Sequence, residues 1–327
     1  MVDTFHLLWF RYLNSDISRY INLRCDGWVV DAWPPFEIGA KPAGGSLLDP
    51  VPCDRPQPLP KRNVPVVSLT LNDLAPLREI RTTDVGFTVN TLVTPHGGIY
   101  GAYLMFQQVL IAELAAPGKR VISLQTAFAN GGVSGQPCEV TVETLQSGRS
   151  FAFLSLTFRQ GELVVTRAEV MLTVDEPDFL LHDNPWPPIQ TAADWPSTGS
   201  GIWPGSATRW PDSDPTELAV LYASDEPQLD ESTTRALTAL VTEPAVMAAL
   251  MSFHEVPPAQ AGRVAGNVLT QNVTLLRPVD LSAGVLVRSR ARYAGAGRVH
   301  GEGNLEDHTG ALIGTFTTTG VLRGPRS

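Results

Sequence analysis

Apolar and polar positions along this chain fall into helix-like and strand-like blocks, and the order of blocks occurs twice. Residues 99–115 are apolar nearly all round, with Ile99, Tyr100, Tyr103, Leu104, Phe106, Val109, Leu110 and Leu114. A helix without a polar face is buried, so this pattern predicts a core helix. Pro117-Gly118 stops it. Strand-like runs follow over 121–129, 138–145, 151–159 and 163–174. Ser147-Gly148 and Gln160-Gly161 read as hairpin turns between them. The block therefore predicts one buried helix and an antiparallel meander, with the sheet wrapped round the helix so that each covers the other.

The second block predicts a short helix over 218–225, opened by Pro215-Thr216-Glu217 with Thr216 as cap and limited by Pro227. A further helical stretch over 232–251 is split by Pro244. Strands are expected over 268–276, 285–293, 298–305 and 311–322. A local signature ties the two blocks together. Gly148-Arg149-Ser150-Phe151 precedes Gly161-Glu162-Leu163, and 149 residues on, Gly297-Arg298-Val299-His300 precedes Gly310-Ala311-Leu312. Two copies of one β unit imply a duplicated domain, whose functional place is the seam between the copies.

The remainder divides the chain. Residues 1–75 are rich in proline, hold no period and read as an N-terminal extension, partly disordered. The first domain is expected over 76–175, a linker over 176–215 and the second domain over 216–323. Trp186, Trp195, Trp203 and Trp210 suggest that the linker lies on the surface of the domains and does not hang free.

Bulk composition narrows the function classes. The 327 residues are 43 % apolar, enough for one large or two ordinary cores. A net charge of -9 argues against a nucleic-acid partner. Three separated cysteines, Cys25, Cys53 and Cys138, offer neither a zinc ribbon nor a disulfide framework and fit a reducing, cytoplasmic compartment. No apolar run reaches the roughly 20 residues of a membrane helix. Neither a GxSxG elbow nor an HExxH pair is present, and nothing calls for a metal or cofactor.

Two features carry candidate chemistry. His96-Gly97-Gly98 sets an imidazole and two open backbone N–H groups at the start of the first helix. That geometry suits an acyl carbonyl or a phosphate, and it equally suits a plain tight turn. Arg288, Arg290 and Arg292 alternate and share one face of a strand, either as a phosphate contact or as a solvated stripe. Arg263 and Arg277 are further cations of the same kind.

Several passages together resemble the acyl-CoA thioesterase II family. They are His96-Gly97-Gly98 entering the first helix, Val142-Glu143-Thr144-Leu145 running into Gly148-Arg149-Ser150-Phe151, Leu221-Tyr222-Ala223-Ser224-Asp225, Leu276-Arg277-Pro278, and Gly320-Val321-Leu322-Arg323. The resemblance covers about 80–323. It implies an α+β double hot-dog fold, two antiparallel sheets each wrapped round a central helix, and a homo-oligomer.

The activity implied is hydrolysis of an acyl-CoA or carrier-bound acyl thioester. The family holds one water with an aspartate, a hydroxyl residue and a glutamine at the junction of the halves. The aspartate falls on Asp225, the hydroxyl position on Val268 and the glutamine on Thr318, so two of three polar positions are changed. Thr270 and Gln271 lie close enough to substitute, and Thr318 keeps a hydroxyl. Asp225 is the expected base, its proton affinity raised by the apolar helix before it. The resemblance casts His96, Gly97 and Gly98 as a substrate-positioning turn and the arginine stripe as a contact for CoA phosphates. Two alternatives stand beside it: a dehydratase or hydratase on the same scaffold, using His96 and Asp225, and an acyl-binding protein without turnover.

Overall fold

Each half of the chain begins with two short strands, passes through helix and returns as four long strands. The computed structural model describes residues 71–189, 207–209, 214, 216–224, 229–253 and 265–324. The proline-rich stretch 1–70, the linker tryptophans Trp195, Trp203 and Trp210, Asp225 and Arg263 lie outside the described residues.

In the first half, a 3-10 turn at Leu71–Arg78 precedes β1 (Ile80–Thr83), β2 (Gly86–Val89), α1 (Gly101–Ala115), β3 (Arg120–Phe128), β4 (Cys138–Ser147), β5 (Phe151–Gln160) and β6 (Leu163–Thr173). The second has β7 (Ala207–Arg209), β8 (Glu217–Tyr222), α2 (Glu231–Thr242), α3 (Ala245–Phe253), β9 (Ala265–Leu275), β10 (Val285–Gly295), β11 (Arg298–Glu306) and β12 (Leu312–Arg323). The twelve strands among the described residues join one sheet, in the order β1-β2-β4-β5-β6-β3-β9-β12-β11-β10-β8-β7. Adding six to every strand of the first half and reversing the order gives the second half, so the repeat read from the glycine signature is present as topology. The signature glycines sit in the hairpins. Ala296 and Gly297, with φ of 50° and 71°, form the two-residue turn between β10 and β11, a conformation of the I′ type.

The two antiparallel sheets expected, one for each half, meet edge to edge at the seam. β3 and β9 would each present an unpaired row of N–H and C=O groups at the seam, and they pair antiparallel with each other, with Thr126 opposite Gln271. One continuous sheet results.

The helices cover one face of it. α1 is buried without a break from Ala102 to Ala112, as its all-round apolar pattern requires. It packs on β3, β5, β6 and α2, while α3 packs on β8, β10 and β11. Asp230 caps α2, its carboxylate accepting from the Thr233 backbone N–H at 2.8 Å. Pro244 separates α2 from α3, where the sequence placed the break.

The helix expected over 218–225 is not formed: Glu217–Tyr222 is strand β8, held between β10 and β7. Its residues are buried on both faces, so no alternation marks the run. A short apolar run of this kind has no period to tell strand from helix. The cover on its outer face comes from the linker, where Trp186 lies over Arg290 and Ile189 packs, with Leu221, on Ala219 and Leu286.

Candidate active site at the seam

A cavity of about 630 Å³ opens where the two halves meet. Its walls are the turn 96–98 with the first turn of α1, the loop leaving β3, the start of β9 and the corner between α2 and α3. Ile99, Leu104, Phe128, Val133, Val268 and Leu269 make most of the lining apolar.

The turn 96–98 lines the cavity but spends its backbone donors internally. Gly97 N–H donates to Thr94 O at 3.1 Å, and Gly98 N–H donates to His96 Nδ1 at 3.1 Å. The expectation of two open N–H groups at Gly97 and Gly98 is therefore corrected. The donors without an intrahelical acceptor are one step further on, at Gly101 and Ala102, since Tyr100 offers no side-chain cap. With Nδ1 accepting, the neutral imidazole carries its proton on Nε2. That atom is buried with no partner among the described residues. Burial lowers the His96 pKa, partly offset by a backbone hydrogen bond, which keeps the ring neutral at physiological pH.

Glu243 is the residue that sequence reasoning passed over. It sits at the corner between α2 and α3, is only 6 % exposed and lines the cavity. Its Oε1 lies 2.9 Å from the place a Cβ on Gly101 would occupy, a space that Phe128 also borders. Glycine at 101 thus lets the carboxyl approach the start of α1. Burial pushes the Glu243 pKa up to about 7. Among the described residues its carboxyl has no hydrogen-bond or ionic partner. One sequence signal was available: Glu243 is the single charged residue in the apolar stretch 236–251.

Gln271 and Thr318 lie behind this wall. Thr318 Oγ1 donates to Gln271 Oε1 at 2.6 Å, and Gln271 Nε2 donates to the backbone O and Oγ1 of Thr242 at 3.2 and 3.1 Å. Both are fully buried, and Gln271 binds the residue next to Glu243. Thr270 points to the opposite face of β9. Val268 lines the cavity, at the position where the resemblance implies a hydroxyl.

The arginine stripe lies elsewhere and is already engaged. Arg288, 1 % exposed, is clasped by Glu217 and Glu306. Arg290 pairs with Glu217 at 2.6 Å and Asp214 at 3.0 Å, and Arg292 pairs with Glu302. Trp186 covers the guanidiniums of Arg288 and Arg290, with 5.5 and 3.9 Å to its ring centre. A buried guanidinium whose donors meet two carboxylates has nothing to offer a phosphate, so the reading of Arg288 as a CoA contact is corrected. Arg277 pairs with Asp183 at 3.0 Å.

A second hollow of about 380 Å³ lies at the other ends of α1 and α2. There Arg235 makes a two-pronged ion pair with Glu113, at 2.7 and 2.9 Å, and reaches Glu231 at 3.3 Å. The end of α1 that meets α2 here is opposite to the end that meets the Glu243 corner, so the two helices run antiparallel. The lone described thiol, Cys138, is buried and its pKa is pushed up to about 11, which leaves it unreactive.

Residues 91–173 match the family model described as the acyl-CoA thioesterase N-terminal domain. Among solved structures, the chain is similar to the tesB protein of Mycobacterium avium subs paratuberculosis, with a TM-score of 0.65 and 21 % identity over 77 % of this chain and 99 % of that one. It is also similar to the acyl-CoA thioesterase II TesB2 of Mycobacterium marinum, with a TM-score of 0.67 and 16 % identity over 77 % and 98 %. A hot-dog-fold protein of unknown function from Alicyclobacillus acidocaldarius gives a TM-score of 0.58 at 18 % identity over 77 % and 98 %. No curated protein matches. At these identities the structures establish the hot-dog fold alone.

Proposed function

From the acyl-CoA thioesterase domain carried by residues 91–173, we propose that this chain hydrolyses acyl thioesters in the seam cavity, using a water activated by a carboxylate. One observation carries the reading. A single cavity at the seam combines apolar walls, the uncapped start of α1, a partnerless imidazole nitrogen and a buried carboxyl. Its volume falls in the range of small-molecule sites. The acyl chain packs on Leu104, Phe128 and Val268. The carbonyl oxygen, which turns anionic as water adds, is held by the N–H groups of Gly101 and Ala102 or by Nε2–H of His96. The resemblance gives the water to Asp225. Gln271 and Thr318 act as supports of the wall. An acyl-CoA or a carrier-bound acyl group is the substrate, and a cytoplasmic setting and a homo-oligomer go with this reading.

The test is free-thiol release across acyl-CoAs of short to long chain. Release from at least one substrate is expected, and silence from all of them in a folded protein would sink the hydrolytic reading. A second reading, hydration or dehydration of an acyl thioester, is favoured by the partnerless Nε2 of His96 in a cavity that a carboxyl also lines. His96→Ala separates the two. It abolishes a lyase, whereas in a thioesterase it weakens substrate positioning and leaves turnover measurable.

A further inference from the structure

We propose that Glu243 takes the proton from the attacking water, in place of the carboxylate that the resemblance puts at Asp225. This assignment rests on the hydrolytic reading above and names its base.

The argument begins with placement. Glu243 belongs to the second half, yet its carboxyl is delivered to the first, beside Gly101 at the start of α1. A water held between Glu243 and a carbonyl carbon docked at that helix start touches both groups a hydrolysis needs. One takes a proton, and the other holds the developing negative charge. Placement is backed by environment. The residue is buried, faces a cavity and has no partner among the described residues. A carboxyl of that kind costs stability unless another use retains it. Among the described residues the remaining titratable groups lining the cavity are His96 and Tyr100, and none of these is a cation that would hold Glu243 ionised. Its raised pKa brings proton uptake close to neutral pH, where a general base works best.

Support for the group is built in. Thr318 orients Gln271, Gln271 binds Thr242 twice, and Thr242 adjoins Glu243. The polar residues that the sequence offered as water holders thus fix the corner on which the base stands.

The step balances simply. The oxygen of water bonds to the thioester carbonyl carbon while Glu243 takes one of its protons. The tetrahedral species expels the thiolate as the C–S bond breaks, and Glu243 returns the proton to sulfur. Carboxylic acid and thiol leave, and no oxidant or second reactant is needed.

The experiment compares wild type, Glu243→Gln, Glu243→Asp and Asp225→Asn in full-length protein, by thiol release against pH. Binding of a thioether acyl-CoA analogue that cannot be cleaved reports the site without chemistry. Glu243→Gln is expected to lower kcat by about 10²-fold or more while the analogue still binds within a few-fold of wild type. Glu243→Asp, which keeps a carboxylate one methylene short, recovers part of that loss. The wild-type rate should rise with pH through about 7, and this limb should vanish in Glu243→Gln. Asp225→Asn should lose less than Glu243→Gln and should keep the limb near pH 7. Equal thiol release from wild type and Glu243→Gln, with Asp225→Asn inactive, would overturn the assignment and leave the hydrolytic reading intact. Absence of thiol release from wild type would overturn both.

Discussion

Glu243 keeps its proton to higher pH in the folded chain than in the unfolded one, with a pKa of about 7 against an ordinary 4.5. Between those values the folded state binds more protons. The stability this confers is complete below about pH 4.5 and is lost as pH rises through about 7. The shift corresponds to about 3 kcal/mol. Glu243→Gln, which carries no charge at any pH, should gain about that much over wild type between about pH 4.5 and about pH 8. Urea titrations at the two ends measure it, and an unchanged difference would mean that the carboxyl is solvated. Arg288 makes the opposite case. Arg288→Ala leaves Glu306 buried without a counter-charge and Glu217 with Arg290 alone, and should cost about 3–5 kcal/mol, read as a lowered melting temperature. Adding Glu306→Gln to it should recover most of that loss, because the carboxylate left without a partner is then neutral, while Glu217 keeps Arg290. A thermostable Arg288→Ala would show that the cluster is open to water.

At the level of elements, the seam depends on pairings that one change can probe. Thr318→Val deprives Gln271 Oε1 of its donor in a dry site and should cost about 1–3 kcal/mol by chemical denaturation. A cost near zero would mean that Gln271 re-pairs. Gly101→Ala puts a methyl group against Glu243 and Phe128 and should lower thiol release more than it lowers the melting temperature, since the clash falls on the cavity wall. How far these elements were legible follows from their environments. The long strands β3 to β6 and β9 to β12 were placed to within a few residues, because glycine turns bound them and their side chains alternate. α1 was legible for the contrary reason, an absence of alternation that only a core helix tolerates. β8 was misread because it is covered on both faces, by α3 and by the Trp186 segment, so its sequence carries no period. The site was half legible. His96-Gly97-Gly98 could be placed at a helix start from order alone. The inward turn of Glu243 depends on the break at Pro244 and on packing between halves, and neither is a local property of the sequence.

The whole molecule behaves as one structure built from two copies. A single apolar core runs through both halves, joining Leu104, Ile111 and Leu124 to Leu237, Leu240 and Val273. Unfolding should therefore be one cooperative transition, with calorimetric and van 't Hoff enthalpies in agreement. Two resolved transitions would show that the halves are separate domains, as the boundaries 76–175 and 216–323 supposed. Antiparallel packing of α1 and α2 also means that the seam has two ends, related by the same symmetry that exchanges the strands. At one end the cavity is open and holds Glu243. At the other, Glu113 and Arg235 neutralise each other across the hollow. A duplicated frame offers two berths, and an ion pair occupies one of them. Stoichiometry is the consequence: calorimetric titration with an uncleavable acyl-CoA analogue should saturate at one equivalent per chain, a single working place in a molecule whose backbone is paired throughout.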